Sequence, residues 1–126
     1  MLADRRVHAI LPTKDVDALR PFYEETLGLT PFAVVPAVVL YRAGAGTILG
    51  ISRSGGQASG AHTQVAFTVP DIEAEVAELK SRGVVFEEYE MPKTTGGVAT
   101  MPAGRAAWFK DPAGNLLGLI EFNEPV

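Results

Sequence analysis

The chain has 126 residues, enough for one compact domain with a sizeable core. A 47% hydrophobic and 21% charged composition is that of a globular protein, and a net charge of -4 offers no basic footprint for nucleic acid or an anionic membrane. Cysteine is absent, which excludes disulfides, thiolate nucleophiles and cysteine metal sites.

The start, MLADRR, lacks the apolar core of a signal peptide. The apolar run 33–40 is interrupted by Pro36 and falls far short of the roughly 20 residues that span a bilayer. A soluble, cytoplasmic protein is expected. In chain order, Val7 to Leu11 form a short apolar segment broken only by His8. Thr13 or Asp15 can then cap a helix in which Val16, Leu19, Phe22, Tyr23 and Leu27 recur at helical spacing. Pro21 implies a later start near Leu19 or a kink, and Gly28 supplies a stop. Two short strands broken at Pro36 cover 32–42, and another covers 47–53. The polar, glycine-rich 54–61 reads as a flexible linker.

The pattern then restarts. Residues 63–69 alternate as a strand, with Val65, Phe67 and Val69 on one face and Gln64, Ala66 and Thr68 on the other. Asp71 caps a helix with Ile72, Val76 and Leu79 as its apolar stripe, ended by Gly83. Strands are predicted at 84–89, 98–101, 105–110 and 115–122. A loop or hairpin arm at 91–97 and the tight turn Asp111-Pro112-Ala113-Gly114 separate them.

The segment YRAGAGTILGI (41–51) has a gapless twin 68 residues on, FKDPAGNLLGL (109–119). Tyr41 faces Phe109, Gly46 faces Gly114, and Gly50 faces Gly118. A glycine inside an apolar strand is costly and marks a bulge or a close approach. The chain therefore reads as one α+β domain, 1–126, built from two βαβββ modules at about 1–54 and 62–126 with a linker at 55–61. Side by side, the modules make a curved, eight-stranded, cup-like sheet with helices outside.

HAILPTKDVDALRPFYEETLG, QVAFTVPDIEAEVAELKSRG and WFKDPAGNLLGLIEF together resemble the vicinal oxygen chelate superfamily, the glyoxalase/bleomycin resistance/dioxygenase group. The resemblance covers nearly the whole chain. It implies a paired βαβββ cup, often a homodimer, which in the enzymes holds one divalent metal that chelates two substrate oxygens. It also implies where metal ligands stand: the start of the first strand and the middle of the last strand of each module. His8 and Gln64 hold the first-strand places, and Gly50 and Gly118 hold the last-strand places, where a carboxylate is usual. One imidazole and one amide do not make a divalent site, which takes about three protein ligands. Glu121 lies an odd step from Gly118 and points to the other face. His62 could join His8 and Gln64 in a weak site only if the linker folds inward.

His8 is thus either a polar pocket group, able to act as acid or base, or a hydrogen-bonded core histidine. Ligand contact is favoured for Gln64. Trp108, the one tryptophan, either stacks on a flat ligand or packs in the core. Tyr41 and Phe109 are packing residues, and Asp15 and Asp71 are caps. Arg53 and Arg105 pair with an acidic ligand or, more simply, are rim charges. KTTGG (93–97) lacks phosphate-loop spacing and reads as a mobile loop over the pocket.

The resulting expectation is a metal-independent, cofactor-free binder of a small organic molecule, an antibiotic or aromatic metabolite, held by His8, Gly50, Gln64, Trp108 and Gly118. Two other readings stand beside it. One is a lyase, isomerase or dioxygenase relative with a displaced metal or His8 as acid/base. The other is a small-molecule sensor or interaction module.

Overall fold

A computed structural model of the chain describes residues 1–124. It divides into two compact units, Met1–Ala58 and Ser59–Val126.

In the first unit, β1 (Ala9–Thr13) leads into α1 (Val16–Pro21), followed by β2 (Thr30–Val35), β3 (Val38–Arg42) and β4 (Ile48–Arg53). The sheet order is β1-β4-β3-β2, with β1 parallel to β4 and the other pairs antiparallel. Pro12 is tolerated inside β1 because that strand lies at the sheet edge. Asp15 is the helix cap, its carboxylate accepting from Ala18 N–H at 3.1 Å. The helix begins at Val16 and not near Leu19. Pro21 has no N–H to give the preceding turn, and the helix widens beyond it into a π turn, Phe22–Thr26, closed by Leu27 N–H donating to Phe22 O. Leu11, Leu19, Tyr23, Val39, Tyr41, Leu49 and Ile51 form the buried layer.

Tyr23 and Tyr41 stack with ring centroids 5.9 Å apart, and neither is exposed. The Tyr41 hydroxyl donates to Glu24 Oε2 at 2.9 Å, and Arg20 holds the same carboxylate at 2.6 Å. Burial pushes the Tyr41 hydroxyl above its ordinary value, and its donation to Glu24 raises it further. The Arg20 guanidinium holds Glu24 below the ordinary carboxylate value of 4.5.

The second unit runs β5 (Val65–Thr68), α2 (Ile72–Ser81), β6 (Thr94–Thr95), β7 (Val98–Met101), β8 (Gly104–Lys110) and β9 (Leu116–Phe122). Its sheet order is β5-β9-β8-β7-β6, with β5 parallel to β9. Asp71 caps α2 by accepting from Ala74 N–H, and Gly83 after it takes a φ of +92° that favours glycine. The carboxylate of Glu121 accepts from Ile72 N–H at the same helix start and binds Arg105 at 3.0 Å, so Glu121 serves α2.

The expected α+β fold is present, with two differences. The described residues carry nine strands, not eight, because the 91–101 arm closes as a hairpin containing the two-residue β6. The strand predicted at 84–89 is absent as a ladder. Val84 and Phe86 alternate inward, but the segment meets β8 only at the Phe86–Phe109 bridge and through Glu87 N–H to Trp108 O. Its last residue, Tyr89, turns its N–H to the Thr94 hydroxyl at 2.8 Å instead.

Three glutamates share one pH signature. Glu24 is lowered chiefly by Arg20, Glu88 by the Thr94 hydroxyl and then Gly97 N–H, and Glu121 by Ile72 N–H and then Arg105. A carboxylate whose folded value lies below its unfolded one contributes stability above the unfolded value and loses it as pH falls. Urea midpoints are therefore expected to hold at neutral pH and to drop below pH 4.5, the ordinary glutamate value. In Glu24→Gln the acid slope becomes shallower; an unchanged slope would exclude Glu24 from the effect.

Candidate functional site

The two glycines of the repeat occupy the same place in the two sheets. In the first, Gly50 on β4 lies between Ile10 on β1 and Leu40 on β3. In the second, Gly118 on β9 lies between Ala66 on β5 and Trp108 on β8. Neither glycine has a positive φ, so their surroundings explain them better than backbone conformation does.

A Cβ on Gly50 would meet Ile10 Cδ1 at 2.7 Å and Leu40 Cδ2 at 2.8 Å. Two aliphatic side chains therefore lean over the place where a carboxylate would project. A Cβ on Gly118 would lie 3.4 Å from Trp108 Cδ1, 3.4 Å from Thr63 Cγ2 and 3.5 Å from Ala66 Cβ. That is ordinary contact, so Gly118 is a flat floor beneath an indole.

Trp108 is half-buried. Its Nε1–H donates to the Thr63 hydroxyl at 3.0 Å, and Tyr89 meets it edge-on with centroids 5.6 Å apart and planes at 67°. Burial, and then the nearby Glu87 charge, raise the Tyr89 hydroxyl above its ordinary value, which keeps it neutral. Trp108 and Tyr89 thus make a two-walled aromatic corner over an apolar floor, the kind of surface that takes planar apolar groups.

The predicted site residues fare differently. His8 lies before β1, exposed, and not at the start of the strand or in a core. The strand starts one residue later because its pairing with β4 begins at Ala9–Leu49. Gln64, expected to face a ligand, has both ends of its amide committed. Its Nε2 donates to Asn115 Oδ1 at 2.9 Å, and its Oε1 accepts from Leu116 N–H at 3.1 Å. His62 is exposed and shares its Nδ1 with the Ser59 hydroxyl at 2.9 Å. Arg105 is bound to Glu121 and Glu73, while Arg53 is exposed. The 93–97 segment is a pinned hairpin rather than a free loop. Glu88 accepts from Gly97 N–H at 2.7 Å, Lys80 donates to Gly96 O at 3.2 Å, and Thr94 is buried.

Among the described residues no three His, Asp or Glu side chains gather into a group that could hold a metal. The four places where the family resemblance puts ligands offer an exposed imidazole, a committed amide and two glycines. That donor set does not fit a divalent cation.

Tyr89 and Thr63 were not foreseen. Tyr89 reaches Trp108 only because the 84–89 segment crosses β8 at a single bridge, which local periodicity cannot show. Thr63 is expected to open the strand 63–69, but it stands two residues before β5, and its bond to Trp108 spans 45 residues, which local pattern cannot show.

The family model described as Glyoxalase/Bleomycin resistance protein/Dioxygenase superfamily matches residues 5–119. The chain belongs to this superfamily. Among solved structures, TnmS3, an antibiotic binding protein from Streptomyces sp. CB03234, is 28% identical with a TM-score of 0.74, over 98% of this chain and 100% of that one. A glyoxalase/bleomycin resistance protein from the same Streptomyces strain is 29% identical with a TM-score of 0.66, over 90% and 96% of the two chains. A lactoylglutathione lyase from Agrobacterium tumefaciens shares the superfamily fold, at 21% identity and a TM-score of 0.68 over 94% and 93%. No curated protein sequence matches the chain. The superfamily's signature run here, Phe109 to Asn115, is structural. Asp111 and Asn115 are buried, Asp111 accepts from the N–H groups of Ala113 and Asn115, and Asn115 carries the bond to Gln64. No helix among the described residues is long and apolar enough to cross a membrane.

Proposed function

We propose that the protein is a metal-independent binder of a small organic molecule, of the antibiotic-sequestering kind, acting in the cytoplasm as a homodimer. The two modules act together as one domain, and the ligand is held against Trp108 over Gly118. The observation that carries this reading is the aromatic corner of Trp108 and Tyr89, standing beside the position where a metal-dependent relative would place a carboxylate. Chelation needs hard or imidazole donors converging on one point. Stacking needs a flat apolar floor with a rigid ring beside it, and the Gly118 row is of the second kind. The 28% identity to an antibiotic-binding protein, over 98% of this chain and 100% of that one, supports the same reading.

Because Trp108 is the single tryptophan, its fluorescence reports on this site alone. Titration with a panel of aromatic antibiotics is expected to give saturable quenching for at least one compound, with a matching rise in melting temperature. Trp108→Ala is expected to weaken that compound roughly ten-fold or more, the weight of losing a stacked anchor. Two results would overturn the proposal: no response across the panel, or stoichiometric metal in protein purified without chelator.

A further inference from the structure

Residues 59–64, from the end of the linker to β5, form a chain of contacts that ends on the indole. Ser59 Oγ accepts from Ala61 N–H at 3.1 Å and is bonded to His62 Nδ1 at 2.9 Å, closing a tight turn. The next residue, Thr63, sends its hydroxyl to Trp108 Nε1 and its methyl to within 3.4 Å of where a Gly118 Cβ would stand. Gln64 then locks the far end through its amide to Leu116 and Asn115, and through its own N–H to Leu116 O at 2.9 Å. Both ends of Thr63 are therefore anchored. As a β-branched residue it has little side-chain freedom, and its hydroxyl branch is held by the indole N–H.

We propose that Thr63 is a positioning residue for the binding site, held by the Ser59–Gln64 strap. It fixes the rotation of the Trp108 indole and takes its only hydrogen-bond donor out of play. This deepens the ligand-binding reading and rests on it for its functional consequence. An indole has a single N–H and no acceptor. With that N–H bound to Thr63, Trp108 presents a ligand with its π face and not with a donor. The ligand group selected there is an aromatic ring recognised by stacking, without a carbonyl or other acceptor directed at the tryptophan. Tyr89 packs edge-on against the same ring at 67°.

The test begins with ligand-free protein, so that it does not depend on the binding reading. Thr63→Val keeps the branched shape and removes the acceptor, and Thr63→Ser keeps the acceptor and removes the methyl. In Thr63→Val the Trp108 emission maximum is expected to shift and acrylamide quenching to rise, while Thr63→Ser stays near the wild type in emission. Far-ultraviolet circular dichroism and the urea midpoint establish that both variants are folded. Should Thr63→Val misfold, Ser59→Ala loosens the same strap from outside and is expected to move quenching in the same direction. Unchanged emission and quenching in folded Thr63→Val overturns the positioning role, whatever the protein binds.

The second arm uses the antibiotic that responds most strongly in the fluorescence panel. Thr63→Val is expected to weaken it roughly five-fold, the weight of one hydrogen bond's worth of preorganisation, with Thr63→Ser restoring most of the affinity. A perturbed indole with unchanged affinity overturns the link from Thr63 to the ligand. Failure of every panel compound on the wild type strikes the binding reading and leaves the ligand-free result to stand alone.

Discussion

Replacing Asn115 by Ala is expected to lower the unfolding free energy by about 3 kcal/mol, the sum of two orphaned polar groups and a small cavity. Asn115 has no exposed surface. Its Nδ2 donates to Asp111 Oδ2 at 2.7 Å, and its Oδ1 accepts from Gln64 Nε2 at 2.9 Å. Removing it strips Gln64 of the acceptor for its amide and Asp111 of a donor to a buried carboxylate, so the loss reaches β5 and β9 together. Asn115→Asp is a sharper version. It sets a second carboxylate against Asp111 where a donor stood, so this variant is expected to be less stable at neutral pH than Asn115→Ala. Urea denaturation with an unchanged slope on denaturant is the measurement. A loss under about 1 kcal/mol for Asn115→Ala would mean that water replaces the side chain, and that the turn is not the tie described above.

Gly104→Ala comes next in size. Its methyl would overlap the Glu121 carbonyl oxygen and lie 2.9 Å from Phe122 Cα and 3.0 Å from Glu121 C. All three are backbone atoms of the paired strand β9, so no side chain can rotate aside. The cost is expected to be about 3 kcal/mol, a fall in melting temperature on the order of 10 °C. Gly50→Ala is the useful contrast. Its close atoms are the ends of Ile10 and Leu40, which can swing outward, and a Gly118 methyl sits in ordinary contact. Differential scanning calorimetry is therefore expected to rank the damage as Gly104, then Gly50, then Gly118. A reversed order would contradict the account of the two repeat glycines.

Much of this architecture was legible from residue spacing. The 68-residue repeat appears in the structure as two hairpins in identical register, Tyr41–Leu49 and Leu40–Gly50 matching Phe109–Leu117 and Trp108–Gly118. Both helix caps and both glycine stops sit where the sequence puts them, because capping and left-handed termination are local chemistry. What escaped was non-local. Asp111, Asn115 and Gln64 could not be joined from sequence, since Gln64 stands 51 residues from its partner. Gln64 therefore looked like a ligand-facing amide when it is a tether. Trp108 was singled out as a stacking candidate, but the Thr63 and Tyr89 contacts that define its setting arise from register and a single bridge.

The hairpin at 94–101 bears on how the two modules came to differ. The helix caps Asp15 and Asp71 stand 56 residues apart, whereas Gly50 and Gly118 stand 68 apart, so the second module holds twelve more residues between helix cap and last-strand glycine. Tyr89, the small strand β6 and the Glu88–Gly97 bond all lie in that longer stretch. In the first module the matching place in the row is held by Leu40, paired with Gly50. A duplicated unit can leave one copy as plain scaffold while the other lengthens a single connection and acquires an aromatic wall. Trimming that longer stretch back toward the length of the first module would remove Tyr89, and with it the edge-on neighbour of Trp108.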